Sequence, residues 1–198
     1  MIVKRMKKVN TDKLKVGDQI KVRVTVFDSG YPGETGAMYH KEKHTATAIE
    51  DKGDKMLFLL DDCLHDARSV NENGGTEGGW NNSDLFKDLS KMQIELRGQD
   101  EDEACEFVTF KGGSKLTLLS IQEVFGLDEN YRECDGQIEW MKDRRHRIAD
   151  RKGEPYEYWW LRSVVSATHF AYVSGYGLAD AYNASNALCV RPVFAIKF

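Results

Sequence analysis

From Ser163 to Cys189 the chain contains no Lys, Glu, Gln, Met or Trp. These types number 17, 15, 5, 6 and 4 in the 198 residues, so six or seven would fall in such a stretch at average usage. The segment is built from Ala, Ser, Tyr, Asn and Gly, with Asp180 its only carboxylate and His169 its only imidazole. Residues of this kind dominate adaptable binding loops, because Tyr offers a large amphipathic contact for two torsions while Ser, Gly and Asn hydrogen-bond in many geometries. An ordinary loop of small residues has the same composition, so the surrounding blocks must decide between the two.

Those blocks are rigid in character. Tyr156 to Arg162 is aromatic and apolar in the manner of a buried strand, and Val190 to Phe198 alternates and is punctuated by Pro192. Trp159-Trp160-Leu161-Arg162-Ser163, then Phe170, Val173, Gly177 and Ala184 at gapless spacing, and finally Val190-Arg191-Pro192-Val193-Phe194 carry a family resemblance. On them the chain resembles the variable proteins of diversity-generating retroelements, in which a hypervariable region ends a C-type lectin-like domain. In that family these positions are fixed, and those between are asparagine codons in a template copy, mutated at adenines. Adenine mutagenesis of an Asn codon cannot produce Lys, Glu, Gln, Met or Trp, the set missing between Ser163 and Cys189.

The resemblance extends over about residues 55–198. Asn73-Gly74-Gly75-Thr76 through Gly79-Trp80 and Ser83-Asp84-Leu85 looks like the family's loop-then-helix element, and Lys115 to Ser120 through Glu123-Val124-Phe125-Gly126 like its strand-then-turn element. It departs at Cys189, where the family usually has Gly before Val-Arg-Pro, a substitution that matters if φ there is positive. What it implies is a single α+β domain over 1–198, of C-type lectin-like fold, with short mixed or antiparallel sheets, about two helices and long irregular loops. Residues 163–189 are then a largely irregular, exposed ribbon. Its ligand-binding side chains are Thr168, His169, Ala171, Tyr172, Ser174, Tyr176, Leu178, Asp180, Tyr182, Asn183, Asn186 and Leu188, with Tyr172, Tyr176 and Tyr182 as anchors. Trp159, Trp160, Phe170, Val173, Gly177 and Pro192 belong to the frame. Arg162 and Arg191 fix the ends through backbone carbonyls or a carboxylate, since a buried guanidinium needs partners.

Composition narrows the partners. A formal charge of −4 lacks the basic excess that nucleic acid requires, and no apolar run approaches the roughly 20 residues of a membrane span. Met1 to Asn10 has Lys4, Arg5, Lys7 and Lys8 but no apolar stretch after them, so no secretory signal is expected. The partner implied is a protein or surface ligand of a host or neighbouring cell, met from a virus tail or a cell surface, with a trimer favoured on a tail fibre. Cys63, Cys105, Cys134 and Cys189 contain no C-x-x-C pair, which argues against a zinc ribbon or dithiol site and for free buried thiols.

Taken in order, Asp18 to Phe27 alternates as a half-buried strand after a Lys15-Val16-Gly17-Asp18 turn. Ser29 to His44 reads as a loop. His40 and His44 stand four apart, but no third ligand is spaced with them, so a solvated loop is expected and no metal site. Lys55 to Leu60 is a short strand ending in Asp61-Asp62, read as strand-end polar residues because no EF-hand pattern follows. Asn71 to Asn82 is a long exposed loop, after which Ser83 or Asn82 caps a helix laying Leu85, Phe86 and Leu89 along one side, with Trp80 against it. The acidic run Gln99 to Glu106 is a solvated turn. Phe107–Phe110 and Leu116–Leu119 are expected to form a hairpin around Gly112-Gly113. Ser120 and Glu123 fit a capping box. The basic stretch Trp140 to Lys152 is a charged helix or surface loop. The first and last strands are expected to pair, as in C-type lectin-like domains.

Two other functions fit the implied fold. A formylglycine-generating-type oxidase needs a pair of copper-binding cysteines, which these four do not suggest. A calcium-dependent sugar lectin uses a Glu-Pro-Asn or Gln-Pro-Asp tripeptide, whereas the only Glu-Pro here, Glu154-Pro155, precedes Tyr156. No catalytic residue and no cofactor is expected.

Overall fold

A computed structural model describes residues 14–28, 38–97 and 106–197. The expectations for Met1 to Asn10, for the loop from Ser29 to Ala37, for Gln99 to Cys105 and for Phe198 lie outside them. Alternation of Ile20, Val22, Val24 and Val26, all buried, makes β1 (Gln19–Asp28) a strand with one face in the core. It pairs antiparallel along its whole length with β2 (Met38–Asp51), Val22 opposite His44 and Val24 opposite Glu42. The loop expected up to His44 is therefore strand from Met38 onward. The period-two signal was hidden because the inward positions His40, Glu42 and His44 are polar, so the apolar alternation begins only at Ala46.

β3 (Lys55–Leu60) pairs with β2, with a register shift between Ala48 and Glu50. Ser83 then caps α1 (Asp84–Lys91), its Oγ accepting from Phe86 N at 3.1 Å, and Leu85, Phe86 and Leu89 turn inward. Trp80 meets Phe86 edge-on at 5.6 Å and donates to Thr117 Oγ1. β4 (Gln93–Leu96) returns to β1. The capping box holds at α2 (Ile121–Phe125): Ser120 Oγ accepts from Glu123 N, and Glu123 Oε2 from Ser120 N.

β5 (Trp159–Val164), β6 (His169–Val173) and β7 (Ala179–Asn183) form a three-stranded antiparallel meander, and β8 (Val193–Lys197) completes a five-stranded sheet ordered β4-β1-β2-β3-β8. The molecule is thus α+β, with antiparallel sheets and two α-helices among the described residues. The last strand pairs with β3, not with β1, from which β3 and β2 separate it. Alternation alone identifies strands of similar character; it does not assign neighbours. The hairpin expected around Gly112-Gly113 does not form either. Phe107 and Thr117 each bridge to β8, at Ile196 and Val193, and so cover its outer edge. Pro192 stands just before β8, where its carbonyl accepts from Leu60 N at 3.2 Å and no ladder donor is lost.

Two cores result. One holds the inward face of β1 and β2 with Phe58, Phe194, α1, Trp160 and Phe170; the other holds Leu57, Leu59, α2, Trp159, Ala171 and Val173. Adjacent residues of β5 and β6 point into different cores, so these two strands of the meander contribute to both.

Candidate binding surface

Residues 163–189 are not the irregular ribbon expected: the meander β5-β6-β7 and its two turns account for most of them. A stretch without Lys, Glu, Gln, Met or Trp still makes strands when Phe170, Ala171 and Val173 supply its buried positions. The tryptophans and arginines that flank the segment are held by hydrogen bonds. Trp159 Nε1 donates to Arg147 O and Trp160 Nε1 to Arg68 O, both at 2.8 Å, and neither ring is exposed. Arg162 donates to Leu118 O and pairs with Glu123 Oε2 at 2.8 Å. Arg191, buried against the Trp159 ring, donates to Leu60 O at 2.8 Å and His146 O at 2.9 Å. Burial pushes the Arg191 guanidinium pKa down, although Cys63, Asp61, Asp62 and Asp150 oppose this.

Backbone conformation explains the glycines of the second turn. Gly177 has φ 72°, and a Cβ there would stand 3.0 Å from Arg144 O. At Gly175 a Cβ would fall 2.0 Å from Tyr156 O. Arg144 also donates to Tyr176 O at 2.6 Å, so the basic stretch, folded as two 3-10 turns over 139–147, props the turn from beneath. Cys189, by contrast, does not have a positive φ. It is buried, bridges to Trp159 and donates its thiol hydrogen to Glu157, so the position at which the sequence resemblance departs needs no special backbone. Cys63, Cys134 and Cys189 are free thiols, the first and last buried and Cys134 half-buried.

The exposed side chains divide between strand faces and turns. Tyr172 and Asp180 are register partners joined by a 3.1 Å hydrogen bond, and Tyr182 stands opposite Phe170. The Tyr172 ring contacts Tyr158 at 5.8 Å, Tyr182 at 6.1 Å and the buried Trp160 at 6.4 Å. Tyr176 and Leu178 project from the second turn beside Tyr156. Tyr156, Tyr158, Tyr176, Leu178 and Tyr182 are 46–63% exposed, and among the other large apolar or aromatic side chains of the described residues only Tyr39 is so exposed. Burial, the Asp180 hydrogen bond and the negative charge of that carboxylate raise the Tyr172 phenol to about 12.

Other expected positions lie elsewhere on the meander. Thr168 ends the first turn and His169 opens β6, with Thr168 Oγ1 and His169 Nδ1 2.8 Å apart; Asn183, the register partner of His169, ends β7, and Asn186 sits in the turn that follows. The Asn71–Asn82 loop supports both turns, through Thr76 Oγ1 to Ser166 O at 2.7 Å and Asn71 N to Ala184 O. Ser174 Oγ is used within its own turn by Leu178 N, and Leu188 is half-buried, its backbone bridged to Arg68. Ala171 corrects the expectation: it is fully buried, because β6 alternates and Ala171 and Val173 face the second core while Phe170 faces the first. Tyr156 and Tyr158 were missed. The aromatic run Tyr156 to Arg162 reads as uniformly buried, yet β5 begins only at Trp159, and the two tyrosines ahead of it are solvent-facing.

Two features lie apart from this surface. A cleft of about 710 Å³ runs between Lys52, Lys55, Trp80, Phe110, Glu123 and Arg162. Glu42, His40, His44 and His65 meet at the inner face of β2, which overturns the reading of His40 and His44 as solvated loop residues without a third ligand.

A model of a family described as a domain of unknown function, DUF6273, matches residues 54–198. The chain belongs to the DUF6273 family. No curated protein and no solved structure matches the chain. The DUF6273 region starts at the approach to β3 and takes in the whole meander, the frame tryptophans and both arginines, whereas β1 and β2 precede it. No helix among the described residues is long and apolar enough to cross a membrane.

Proposed function

We propose that this DUF6273 protein is a ligand-binding protein that displays a variable, tyrosine-rich surface on a C-type lectin-like scaffold, diversified by retroelement adenine mutagenesis. The partner is a protein or surface ligand of a host or neighbouring cell, reached from a virus tail tip or cell surface, and no catalysis is involved. The observation that carries the reading is the segregation along one meander. Trp159, Trp160, Phe170 and Val173 are buried, while Tyr176, Leu178, Asp180 and Tyr182, all in the segment whose composition matches mutated Asn codons, face solvent. Aromatic side chains held on packed strands lose little entropy on binding and carry much of the energy of such contacts.

The decisive experiment is on the encoding DNA. A near-copy of the region coding for 163–194, differing from it only at adenines and lying beside a reverse transcriptase gene, is the expected finding. An encoding locus without such a copy removes the diversification, and a ligand whose affinity is unchanged by Tyr176→Ala and Tyr182→Ala removes the surface.

A further inference from the structure

We infer that His40, Glu42 and His65 form a site for a divalent transition-metal ion of the zinc class, which clasps the N-terminal hairpin to the DUF6273 region. The inference is independent of the binding-surface reading, because none of the three residues belongs to residues 163–189.

Period two places His40, Glu42 and His44 on the same inward face of β2, and the chain after β3 brings His65 over them. The Glu42 carboxylate has no solvent exposure, and its oxygens have separate roles. Oε2 accepts from His65 N at 3.0 Å and lies 2.9 Å from His44 Nε2, which is also buried. Those two contacts fix the plane of the carboxylate. Oε1 turns instead towards His40 Nε2 at 2.7 Å and His65 Nδ1 at 3.7 Å. The three atoms lie within 4.8 Å of one another, and the His40 and His65 rings are nearly parallel, at 19°.

Two imidazole nitrogens and one carboxylate oxygen are a donor set for zinc and its neighbours; calcium and magnesium select all-oxygen sites. Metal–ligand bonds of about 2.0–2.2 Å put ligand atoms roughly 3–4 Å apart, so small rotations of the two rings convert the observed triangle into a coordination face. His40 and His65 are 35% and 39% exposed. Their side of the site is therefore open to an ion and to a water in the fourth position, as in sites with three protein ligands. His44, on the sealed side, is a positioning residue that holds the carboxylate through its far oxygen.

The test uses the untagged full chain after chelator dialysis. Calorimetric titration with ZnCl2 and absorption titration with CoCl2 are expected to show roughly one equivalent bound, a cobalt ligand-field spectrum without a thiolate charge-transfer band, and a Tm that rises with metal concentration. His65→Ala, at a partly exposed position, keeps the fold and weakens binding by more than the roughly 10- to 100-fold typical of losing a supporting residue; His44→Gln falls within that range. Circular dichroism of both variants verifies folding. No stoichiometric binding by the wild-type chain, a thiolate band, or undiminished binding by His65→Ala each overturns the proposal.

Discussion

Tyr172 donates its phenolic hydrogen to Asp180 Oδ2 at 3.1 Å, straight across the β6–β7 pair where the two are register partners. A half-buried ring thereby holds the carboxylate of its segment in one place, and the phenol is raised from its ordinary 10.0 to about 12, by burial first and Asp180 next. Because the folded-state pKa is the higher, the interaction stabilises fully below about pH 10 and fades as pH rises towards 12. NMR titration of labelled tyrosine should show Tyr172 ionising late, and Asp180→Asn should bring it back towards 10.

Phe170 and Tyr182 face each other across the same strands but differ in burial, the first being sealed and the second 47% exposed. Phe170→Ala should cost about 3–5 kcal/mol in urea unfolding. Tyr182→Ala should stay within about 0.5 kcal/mol in that assay and, for a binding hot spot, remove about 2 kcal/mol of ligand affinity.

Gly175→Ala should be destabilising by about 1–3 kcal/mol, because the added methyl meets the Tyr156 carbonyl at 2.0 Å and only backbone movement relieves it. Gly177→Ala combines φ 72° with a 3.0 Å approach to Arg144 O. It should cost about 1–2 kcal/mol by the same measurement.

Arg191→Leu removes the donors to Leu60 O and His146 O and leaves two carbonyls at a buried position without them. A loss of about 3 kcal/mol in chemical denaturation is expected. Lys at this position cannot reproduce the planar fork, so Arg191→Lys should recover only part of it.

Much of the scaffold was legible because its signals are local. Ser120 and Glu123, Ser83 with its helix, and the alternation in β1 each announce themselves within a few residues. The frame arginines were legible for a general reason, that a buried guanidinium must find acceptors, although which carbonyls it finds depends on the fold. Long-range choices were not legible. Whether β8 meets β1 or β3, and whether Phe107 and Thr117 meet each other or both meet β8, is decided by which pairing buries Phe194 against Phe58, rings stacked at 5.3 Å. The inward polar face of β2 was invisible because His40, Glu42 and His44 satisfy one another only after His65 arrives from a distant part of the chain. Alternation does flag Ala171: counting in twos from Val173 puts the two on one side of β6, that of the second core.

The five-stranded sheet runs through the start of the DUF6273 match rather than ending there: β2 lies against β3 on the side away from β8. A relative trimmed to the matched residues would carry a naked row of amides along β3 and half of a cavity where the hairpin's valines had been. It would need a substitute segment, or a neighbouring molecule adding its own strand, to stay soluble. The stretch by which kinship is detected is therefore smaller than the piece of chain that folds as a unit.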